Sequence, residues 1–447
     1  MWRTFDYTHY ILLYYNMYRI AKQYPELINY LDADGYLKRA FGTAKAFFVV
    51  PYNIKMGKPY AFRGWCDWAY KLGNFHEKYI IDVIDALYKE GFNDEADWLK
   101  NEWEKKVKYF IYDDPSPFGS EFVFDRTAFE STHAIAHYAI ENPLQPDTNL
   151  WYDKNKKKWY SHPVINPEDT YDFLERQIKA NIAMRGWLET SYPFLGSARS
   201  GGRGHLCYMS QMAGWSILDY ALYYSAEPAK YLRLGYASIL SSWALVNCGT
   251  AESNYGYWYP GKENDGAAGW EFLPMKFSPW GSKPWPRGSL CYDGEIDHGL
   301  SGGVNVACTV VIDDPLFGLF AYGGSLRTND NKVSVVCRDG VRRLFHFIKD
   351  NTRFHMSLDC DGFAKEIPVV FLDDLSTIEF SMENRSGSTH TTELTLLGLP
   401  SGSYTISADG RKVETVTIEN KSEVVIKLPV PVGNKIVDVL IKRTRRN

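Results

Sequence analysis

The sequence predicts a multidomain, mainly α protein, in which a closed α/α toroid is followed by an antiparallel β-sandwich. At 447 residues the chain is too long for one ordinary core. Helical periodicity comes in pairs as far as about residue 250, without alternating strands, and this excludes an α/β fold. After Asp313-Asp314-Pro315 the apolar period changes from that of a helix to that of a strand. We therefore expect a toroid that carries the site over residues 1–312 and a sandwich over residues 313–447.

Helix signals recur along the first part of the chain. Tyr10–Tyr24 is apolar nearly all round, which is typical of a helix buried on two sides. Asn166 and Pro167, followed by two acids, have the pattern of an N-cap, an N1 proline and a first turn. The predicted helices are Tyr10–Tyr24, Asp32–Phe48, His76–Glu90, Asp94–Phe110, Thr127–Ile140, Thr170–Trp187, Leu206–Tyr224 and Ala229–Val246, with a ninth at His298–Val311.

The absence of a sequence repeat favours a toroid over a solenoid. A helical solenoid repeats at a fixed period of about 33–47 residues, and no such period is present. Beyond residue 313, short segments separated by turn residues such as Asp409-Gly410 predict the antiparallel sandwich. The predicted strands are Val333–Cys337, Leu344–Ile348, His355–Leu358, Thr377–Met382, Thr391–Leu397, Tyr404–Ala408, Lys412–Ile418, Glu423–Leu428 and Ile436–Ile441.

Composition excludes several classes of partner and cofactor. The net charge is −4 and the chain has no basic block except a short C-terminal tail, so we expect no nucleic-acid partner. No run of about 18 apolar residues exists, and we expect no membrane partner. The seven cysteines are scattered, with no C-x-x-C pair, which argues against a disulfide framework and against a zinc site. We expect neither a metal nor a cofactor.

Residues 249–297 form a long segment without clear periodicity. Loops longer than about 12–15 residues in compact domains are usually functional or disordered, and this one is too rich in aromatic rings for disorder. Aromatic residues make up 16% of the whole chain, and their flat rings can build either a core or the floor of a sugar-binding cleft. We interpret this acid-rich segment as a cleft wall; the alternative is a packed cover over one end of the toroid.

A second acid-rich segment, residues 118–133, joins a loop to the start of a helix. Cleavage of a glycosidic bond needs one carboxyl group that protonates the leaving oxygen and another that activates water or attacks directly. Glu121 and Glu295 are our predicted acid/base pair, with Glu130 or Asp125 as a replacement. The alternative for Asp125 and Glu130 is stabilisation of a helix N-terminus.

Further polar and aromatic residues complete the predicted carbohydrate site. Trp65, Trp258, Tyr259 and Trp270 are expected to stack on sugar rings. Asp67 lies beside Trp65, and Arg203 and His205 belong to a Gly-rich basic turn that either binds an anionic sugar group or is a flexible turn. The predicted substrate-binding residues are Trp65, Asp67, Arg203, His205, Trp258, Tyr259 and Trp270.

Two other functions stay open at this point. A polysaccharide lyase that acts on a uronic-acid glycan needs a Tyr or His base and an Arg or Asn that neutralises the carboxylate, and His205, Tyr208 and Arg203 supply these groups. A non-catalytic glycan-binding protein is the third hypothesis, since aromatic clefts bind sugars with or without turnover.

Several short motifs resemble a six-hairpin glycosidase-like family that is classified only as a domain of unknown function. The resemblance covers most of residues 1–326. The motifs are Thr4-Phe-Asp-Tyr7, Met17-Tyr-Arg-Ile20-Ala, Phe118-Gly-Ser-Glu121 with Asp125, Thr127 and Glu130, Tyr231-Leu-Arg-Leu-Gly235-Tyr, Gly294-Glu295 and Asp314-Pro-Leu-Phe-Gly318-Leu-Phe-Ala-Tyr-Gly323-Gly.

This resemblance implies an (α/α)6 toroid of the glycosidase type, often preceded by an N-terminal β-sandwich. Such a sandwich is missing here, and the eight or nine predicted helices fall short of twelve. No signal peptide is visible, and Met1 is followed at once by Trp2-Arg3-Thr4 and then by an apolar helix, which is an abrupt start. We therefore expect the chain to be a fragment of a longer protein, with the missing β-sandwich domain as a partner besides the carbohydrate substrate.

Overall fold

The computed structural model describes residues 5–53, 68–112, 128–145, 147–153, 158–162, 165–185, 214–247, 303–433 and 436–444. The chain divides into two compact units. The first unit comprises Met1–Ile217 and Leu240–Gly299, and the second comprises Leu218–Ile239 and Leu300–Asn447.

The helices lie in the first part of the chain and pack largely as sequential pairs. In the first unit α1 packs on α2, α4 on α5, and α6 on α7. The helices are α1 (Phe5–Gln23), α2 (Ala33–Asn53), α3 (Trp68–Lys71), α4 (Tyr79–Lys89), α5 (Asn93–Tyr112), α6 (Ala128–Glu141), α7 (Pro167–Arg185), α8 (Trp215–Tyr223) and α9 (Pro228–Asn247), with a 3₁₀ turn at Pro25–Leu27.

The α4–α5 hairpin shows why these segments are helical. Apolar side chains of α4 recur at helical spacing and are buried, among them Ile80, Val83 and Leu87. The helix ends before Gly91, whose φ of 83° is the left-handed conformation that glycine adopts at low cost. The prediction that this helix stops at Gly91 is confirmed.

A two-stranded antiparallel hairpin, which the sequence analysis did not predict, interrupts the helices. Its strands are β1 (Asp147–Asp153) and β2 (Lys158–His162). Tyr152 pairs with Trp159 and Trp151 with Tyr160, and aromatic residues of this kind favour strands.

The second unit contains two large sheets. The first has the order β14-β13-β16-β11-β10-β6-β5, with β9 paired to β11, and the second has the order β15-β12-β8-β7-β3-β4. The strands are β3 (Cys308–Asp314), β4 (Gly318–Tyr322), β5 (Gly324–Asn329), β6 (Lys332–Cys337), β7 (Leu344–Lys349), β8 (Thr352–Leu358), β9 (Gly362–Phe363), β10 (Val369–Leu372), β11 (Thr377–Glu383), β12 (His390–Leu397), β13 (Gly402–Ala408), β14 (Arg411–Ile418), β15 (Val424–Val430) and β16 (Ile436–Arg443).

One apolar core is shared by these two sheets, and we call the two packed sheets the sandwich. Phe345, Met356 and Leu394 from the second sheet are buried in the same cluster as Phe380 and Ile441 from the first. The pairing is antiparallel except between β3 and β7, which run parallel from Cys308 opposite Leu344 to Ile312 opposite Ile348. All nine segments that the sequence predicted as strands contain strand in the structure.

The predicted fold class, a mainly α protein built on an (α/α)6-type toroid, is wrong. Over the described residues helix accounts for 44% and strand for 31%, with two large sheets after a helical N-terminal region that does not clearly form a toroid. The ninth predicted helix, His298–Val311, is also wrong over its last residues, because β3 begins at Cys308. A short apolar run cannot be assigned to helix or strand by periodicity alone. Here the β-branched residues from Thr309 to Ile312 are buried in a sheet.

None of the described helices combines the length and the apolar character that are needed to cross a membrane.

Candidate functional site

Among the predicted site residues, Glu130 is the one that lies in the described part of the chain. Of the predicted site residues, the structure therefore describes the surroundings of Glu130 alone. The other predicted catalytic and binding residues lie outside the described residues: Glu121, Asp125, Glu295, Trp65, Asp67, Arg203, His205, Trp258, Tyr259 and Trp270, together with Tyr208 of the lyase hypothesis.

Glu130 is the third residue of α6, and its exposed fraction is 1%. A carboxylate in the first turn of a helix is stabilised by the unpaired N–H groups and by the positive end of the helix dipole. Neighbouring residues of the helix are buried as well, including Phe129, Ser131 and His133. The first turn of α6 therefore places a carboxyl group inside the first unit, out of contact with bulk water.

Each oxygen of Glu130 accepts a hydrogen bond from a different element. The backbone N–H of His76 donates to Oε1 at 2.6 Å, and the indole Nε1–H of Trp215, at the start of α8, donates to Oε2 at 3.0 Å. The imidazole Nδ1 of His76 is also 3.7 Å from Oε1. Three separate segments of the first unit thus converge on one carboxyl group, and we call these residues the Glu130 cluster.

The backbone around His76 has an unusual conformation that brings its N–H to Glu130. His76 has a φ of 60°, in the left-handed region that residues other than glycine seldom occupy. Gly73 lies so close to α6 that a Cβ there would be 2.6 Å from the Cα of Ala128. Because only glycine permits this approach, Gly73 allows the segment 73–78 to pack directly on the first turn of α6.

A buried ion pair holds the same segment from its other side. Lys106 of α5 and Glu77 both have exposed fractions of 0%, and the Lys106 Nζ is 2.5 Å from Oε1 of Glu77. Nζ also donates to the carbonyl oxygens of Ala69 at 2.7 Å and Leu72 at 2.5 Å. All three ammonium protons therefore have acceptors, as a buried charge requires.

The remaining acceptor sites of Glu77 are also used within the protein. Asn74 Nδ2 donates to Oε1 at 2.6 Å, and the hydroxyl of Ser131 donates to Oε2. Since Ser131 follows Glu130 directly, this bond ties the ion pair to α6. The Glu77–Lys106 pair therefore stabilises the segment that carries His76.

The environment of Glu130 favours its protonated form. Burial raises the pKa of the Glu130 carboxyl and the nearby Glu77 carboxylate raises it further, whereas Lys78, Trp215 and the His76 amide lower it. The net shift is upward, because the loss of hydration disfavours the charged form more than these donors favour it.

Aromatic and basic groups surround this carboxyl group. The ring of His133 meets the Trp215 ring edge to face at 5.4 Å between centroids, and the Lys78 ammonium lies 4.4 Å from the centroid of the same indole. The His76 ring packs against His9 at 5.6 Å and Tyr79 at 5.9 Å. The cluster thus combines a buried carboxyl group of raised pKa with imidazole and indole groups.

The sequence does not identify His76, Glu77 or Lys106 as members of a site. His76 and Glu77 fall at the start of a predicted helix, which in fact begins at Tyr79. Lys106 did carry a signal: it follows Leu99 by seven residues and Trp103 by three, on the apolar face of α5. A lysine at a core position requires a buried partner, although the sequence does not reveal which acid supplies it.

No group of three or more His, Cys, Asp or Glu side chains with metal-binding geometry occurs among the described residues.

Comparisons with known proteins found few matches. A family model described as a family of unknown function (DUF5695) matches residues 1–146, about a third of the chain. No curated protein matches the sequence. Among solved structures, a GH127 β-L-arabinofuranosidase from Geobacillus stearothermophilus T6 matches at 10% identity and a TM-score of 0.27, over 92% of this chain and 58% of that one. The chain therefore spans less than two thirds of that structure's length, and a TM-score this low does not establish a shared fold.

Proposed function

We propose that this chain is a glycoside hydrolase that acts on a poly- or oligosaccharide by carboxylate acid/base catalysis. The observation that carries the proposal is the environment of Glu130, a carboxyl group whose pKa is raised by burial. A general acid must keep its proton near neutral pH, and burial is a common way to achieve this for a glutamic acid. Carboxyl groups with a raised pKa are also concentrated at functional sites, which supports Glu130 as a candidate.

In this proposal Glu130 donates its proton to the leaving oxygen of the glycosidic bond. Glu121 or Glu295 acts as the second carboxylate, which activates water or attacks the sugar. His76 and Trp215 fix the carboxyl group of Glu130 through both of its oxygens. The aromatic residues proposed to stack on the sugar rings are Trp65, Trp258, Tyr259 and Trp270.

The class of reaction is tested first with a panel of neutral and acidic polysaccharides and with nitrophenyl glycosides. Reducing ends and ultraviolet absorbance are recorded together. A hydrolase releases reducing ends without new absorbance. New absorbance on acidic glycans alone would indicate the lyase, since β-elimination creates a double bond. Binding without any product would indicate a non-catalytic glycan-binding protein.

The role of Glu130 is tested with Glu130→Gln, which keeps the shape of the side chain but removes its acidic proton. We expect the turnover of polysaccharide to fall by about 10²- to 10⁴-fold, the usual contribution of general acid catalysis. The fall should be much smaller on a dinitrophenyl glycoside, whose leaving group needs no proton.

The matched control is Glu141→Gln at the other end of α6, where the side chain is 61% exposed. It should leave the turnover of both substrates unchanged. Full activity of Glu130→Gln on polysaccharide would contradict the assignment of Glu130. An equal loss on both substrates would indicate a structural role instead.

A further inference from the structure

A large groove lies at one end of the sandwich, where several connections between strands meet. Its volume is about 1170 Å³, which is more than the roughly 300–1,000 Å³ of ordinary small-molecule sites. We call it the end groove. It is lined by Leu372, Asp374, Ser376, Thr377, Ser401, Gly402, Ser403, Thr417, Ile418, Glu419, Asn420, Lys442, Arg443 and Thr444.

Backbone hydrogen bonds hold the walls of the end groove together. The N–H of Arg443 donates to the carbonyl of Ser376 at 2.8 Å, and the N–H of Thr444 donates to the carbonyl of Ser403 at 2.8 Å. The end of β16 is therefore tied to the turn before β11 on one side and to β13 on the other. Loops fixed on a rigid sandwich in this way commonly carry binding sites.

Arg443 is positioned by its neighbours in the groove. Its guanidinium donates to the carbonyl of Ser401, and a Cβ at Gly402 would be 2.6 Å from its Nε. Glycine at position 402 therefore leaves the space that the guanidinium occupies. Asp374 lies in the same groove, and hydrogen bonds from Ser376, aided by the charge of Arg443, hold the pKa of its carboxyl below the usual range.

Other charged side chains in the groove take no part in holding the fold. Within the described ranges, the side chains of Glu419 and Lys442 make no hydrogen bond or ion pair, and both are exposed. Their polar atoms are therefore free to bind another molecule. Asn420, which has a φ of 51°, adds an exposed amide beside them.

The chemistry of the lining selects one class of ligand. Asp374 and Glu419 balance Lys442 and Arg443, so the groove carries no net charge for a polyanion or a polycation. The lining has two aliphatic side chains, Leu372 and Ile418, and no aromatic ring, and most of its other members carry hydroxyl, amide or charged groups. Carboxylates accept hydrogen bonds from the hydroxyl groups of a ligand, while guanidinium, ammonium and amide groups donate hydrogen bonds to the hydroxyl oxygens.

We propose that the end groove binds a neutral oligosaccharide, with the carboxylates of Asp374 and Glu419 and the cations Lys442 and Arg443 recognising its hydroxyl groups. The groove shares no residue with the Glu130 cluster, and binding there does not depend on hydrolysis. A volume larger than that of ordinary small-molecule sites accommodates more than one sugar unit.

The test is affinity electrophoresis of the full chain through gels that contain β-glucan, xylan, mannan, galactan, arabinan or polygalacturonate. We expect retention on at least one of the neutral polysaccharides. Glu419→Ala/Lys442→Ala removes two side chains that make no contacts within the described ranges, so the fold should be unaffected and the Kd should rise at least tenfold. Arg443→Ala should abolish retention. The control, Glu414→Ala/Lys427→Ala, makes the same charge change outside the groove and should bind like the wild type.

Three results would overturn the proposal: no retention on any neutral polysaccharide, retention on polygalacturonate alone, or equal retention of the wild type and both groove variants. Turnover of aryl glycosides, measured on the same proteins, separates this site from the proposed catalysis. Groove variants should keep wild-type turnover, whereas Glu130→Gln should lose turnover on poor leaving groups and keep gel retention. A chain that is retained but has no turnover would contradict the proposed hydrolase and leave the groove assignment intact.

Discussion

At the scale of single residues, the Glu77–Lys106 pair is the feature on which the Glu130 cluster depends. Both side chains are fully buried, and all three protons of the Lys106 ammonium group have acceptors. A buried ion pair adds little to stability compared with an apolar pair of the same shape, but the loss of one partner is costly because the other charge stays buried. Its role here is to fix the segment that presents the His76 amide to Glu130.

Lys106→Ala should therefore destabilise the protein by about 3–5 kcal/mol, because Glu77 would be left buried without a counter-ion. The matched control is Lys105→Ala, which removes the neighbouring lysine, 26% exposed and paired with Glu102 at 2.6 Å. That change should cost under about 1 kcal/mol. Urea unfolding of the two variants measures the difference. Equal losses would show that the buried pair has no special role.

At the scale of elements, close packing of helices depends on glycines that the helical pattern does not explain. Gly235 of α9 lies against α8, where a Cβ would be 2.5 Å from the backbone N of Leu218. Arg353 of β8 caps the end of α8 by donating to the carbonyl of Leu222 at 2.7 Å and to that of Ala221 at 3.2 Å. Asp314 of β3 binds Arg233 of α9 at 2.8 and 2.9 Å. The motifs around Gly235 and Asp314 thus have structural roles within the second unit.

Gly235→Ala should destabilise the second unit by about 1–3 kcal/mol, because α8 and α9 would have to separate. Gly42→Ala is the matched control in another helix, where a Cβ meets nothing within 4 Å. That substitution should stabilise the protein by about 0.5–1 kcal/mol, since alanine has the higher helix propensity. Thermal unfolding of both variants gives the sign of each change. Stabilisation by Gly235→Ala would contradict the packing described for α8 and α9.

At the scale of the whole molecule, the response of stability to pH follows from buried groups that fold in their neutral forms. His346 and His355 are opposite each other on β7 and β8, with 2.8 Å between their Nδ1 atoms. Tyr223 stacks on His355 at 4.3 Å. Burial lowers the pKa of His355 to about 4, although Asp219 opposes this shift and Arg353 reinforces it. Burial and the His355 ring also lower the pKa of His346 well below its usual value.

The contribution of this histidine pair to stability should therefore fall in mild acid. The unfolded histidines take up protons near pH 6.5, whereas in the folded protein His355 does so near pH 4. Stability from this pair is complete above about pH 6.5 and is lost as the pH falls toward 4, by up to about 1.4 kcal/mol per pH unit for each histidine. Urea unfolding between pH 4 and 8 measures this for the wild type and for His346→Leu/His355→Leu.

Comparison of the wild type with the double variant separates the effect of the histidine pair from that of buried carboxyl groups, which change stability with pH in the opposite direction. Burial raises the pKa of Asp82 to about 6 and also raises that of Glu130, and these carboxyls gain stability as the pH falls. Their contribution is the same in both proteins and cancels in the difference. His137→Leu, at an exposed position on α6, is the control and should keep the wild-type profile. Parallel profiles for wild type and double variant would contradict the assignment.

The sequence by itself determined the local elements. Apolar periodicity and turn residues predicted α1, α2, α4–α7 and α9 to within a few residues, as well as most strands of the sandwich, because these signals depend on nearest neighbours along the chain. It also singled out Glu130 as a candidate, since acids near a helix start can be recognised from spacing.

The tertiary structure decided what depends on contacts between distant segments. The run from Cys308 to Asp314 is a strand because it is paired with β4 and β7, a choice that its own residues leave open. Lys106 is buried because Glu77, 29 residues away, supplies its counter-ion. The hydrogen bonds to Glu130 come from His76 and Trp215, which lie 54 and 85 residues from it. Burial and pKa are properties of the packed molecule, because desolvation arises only when these segments are brought together.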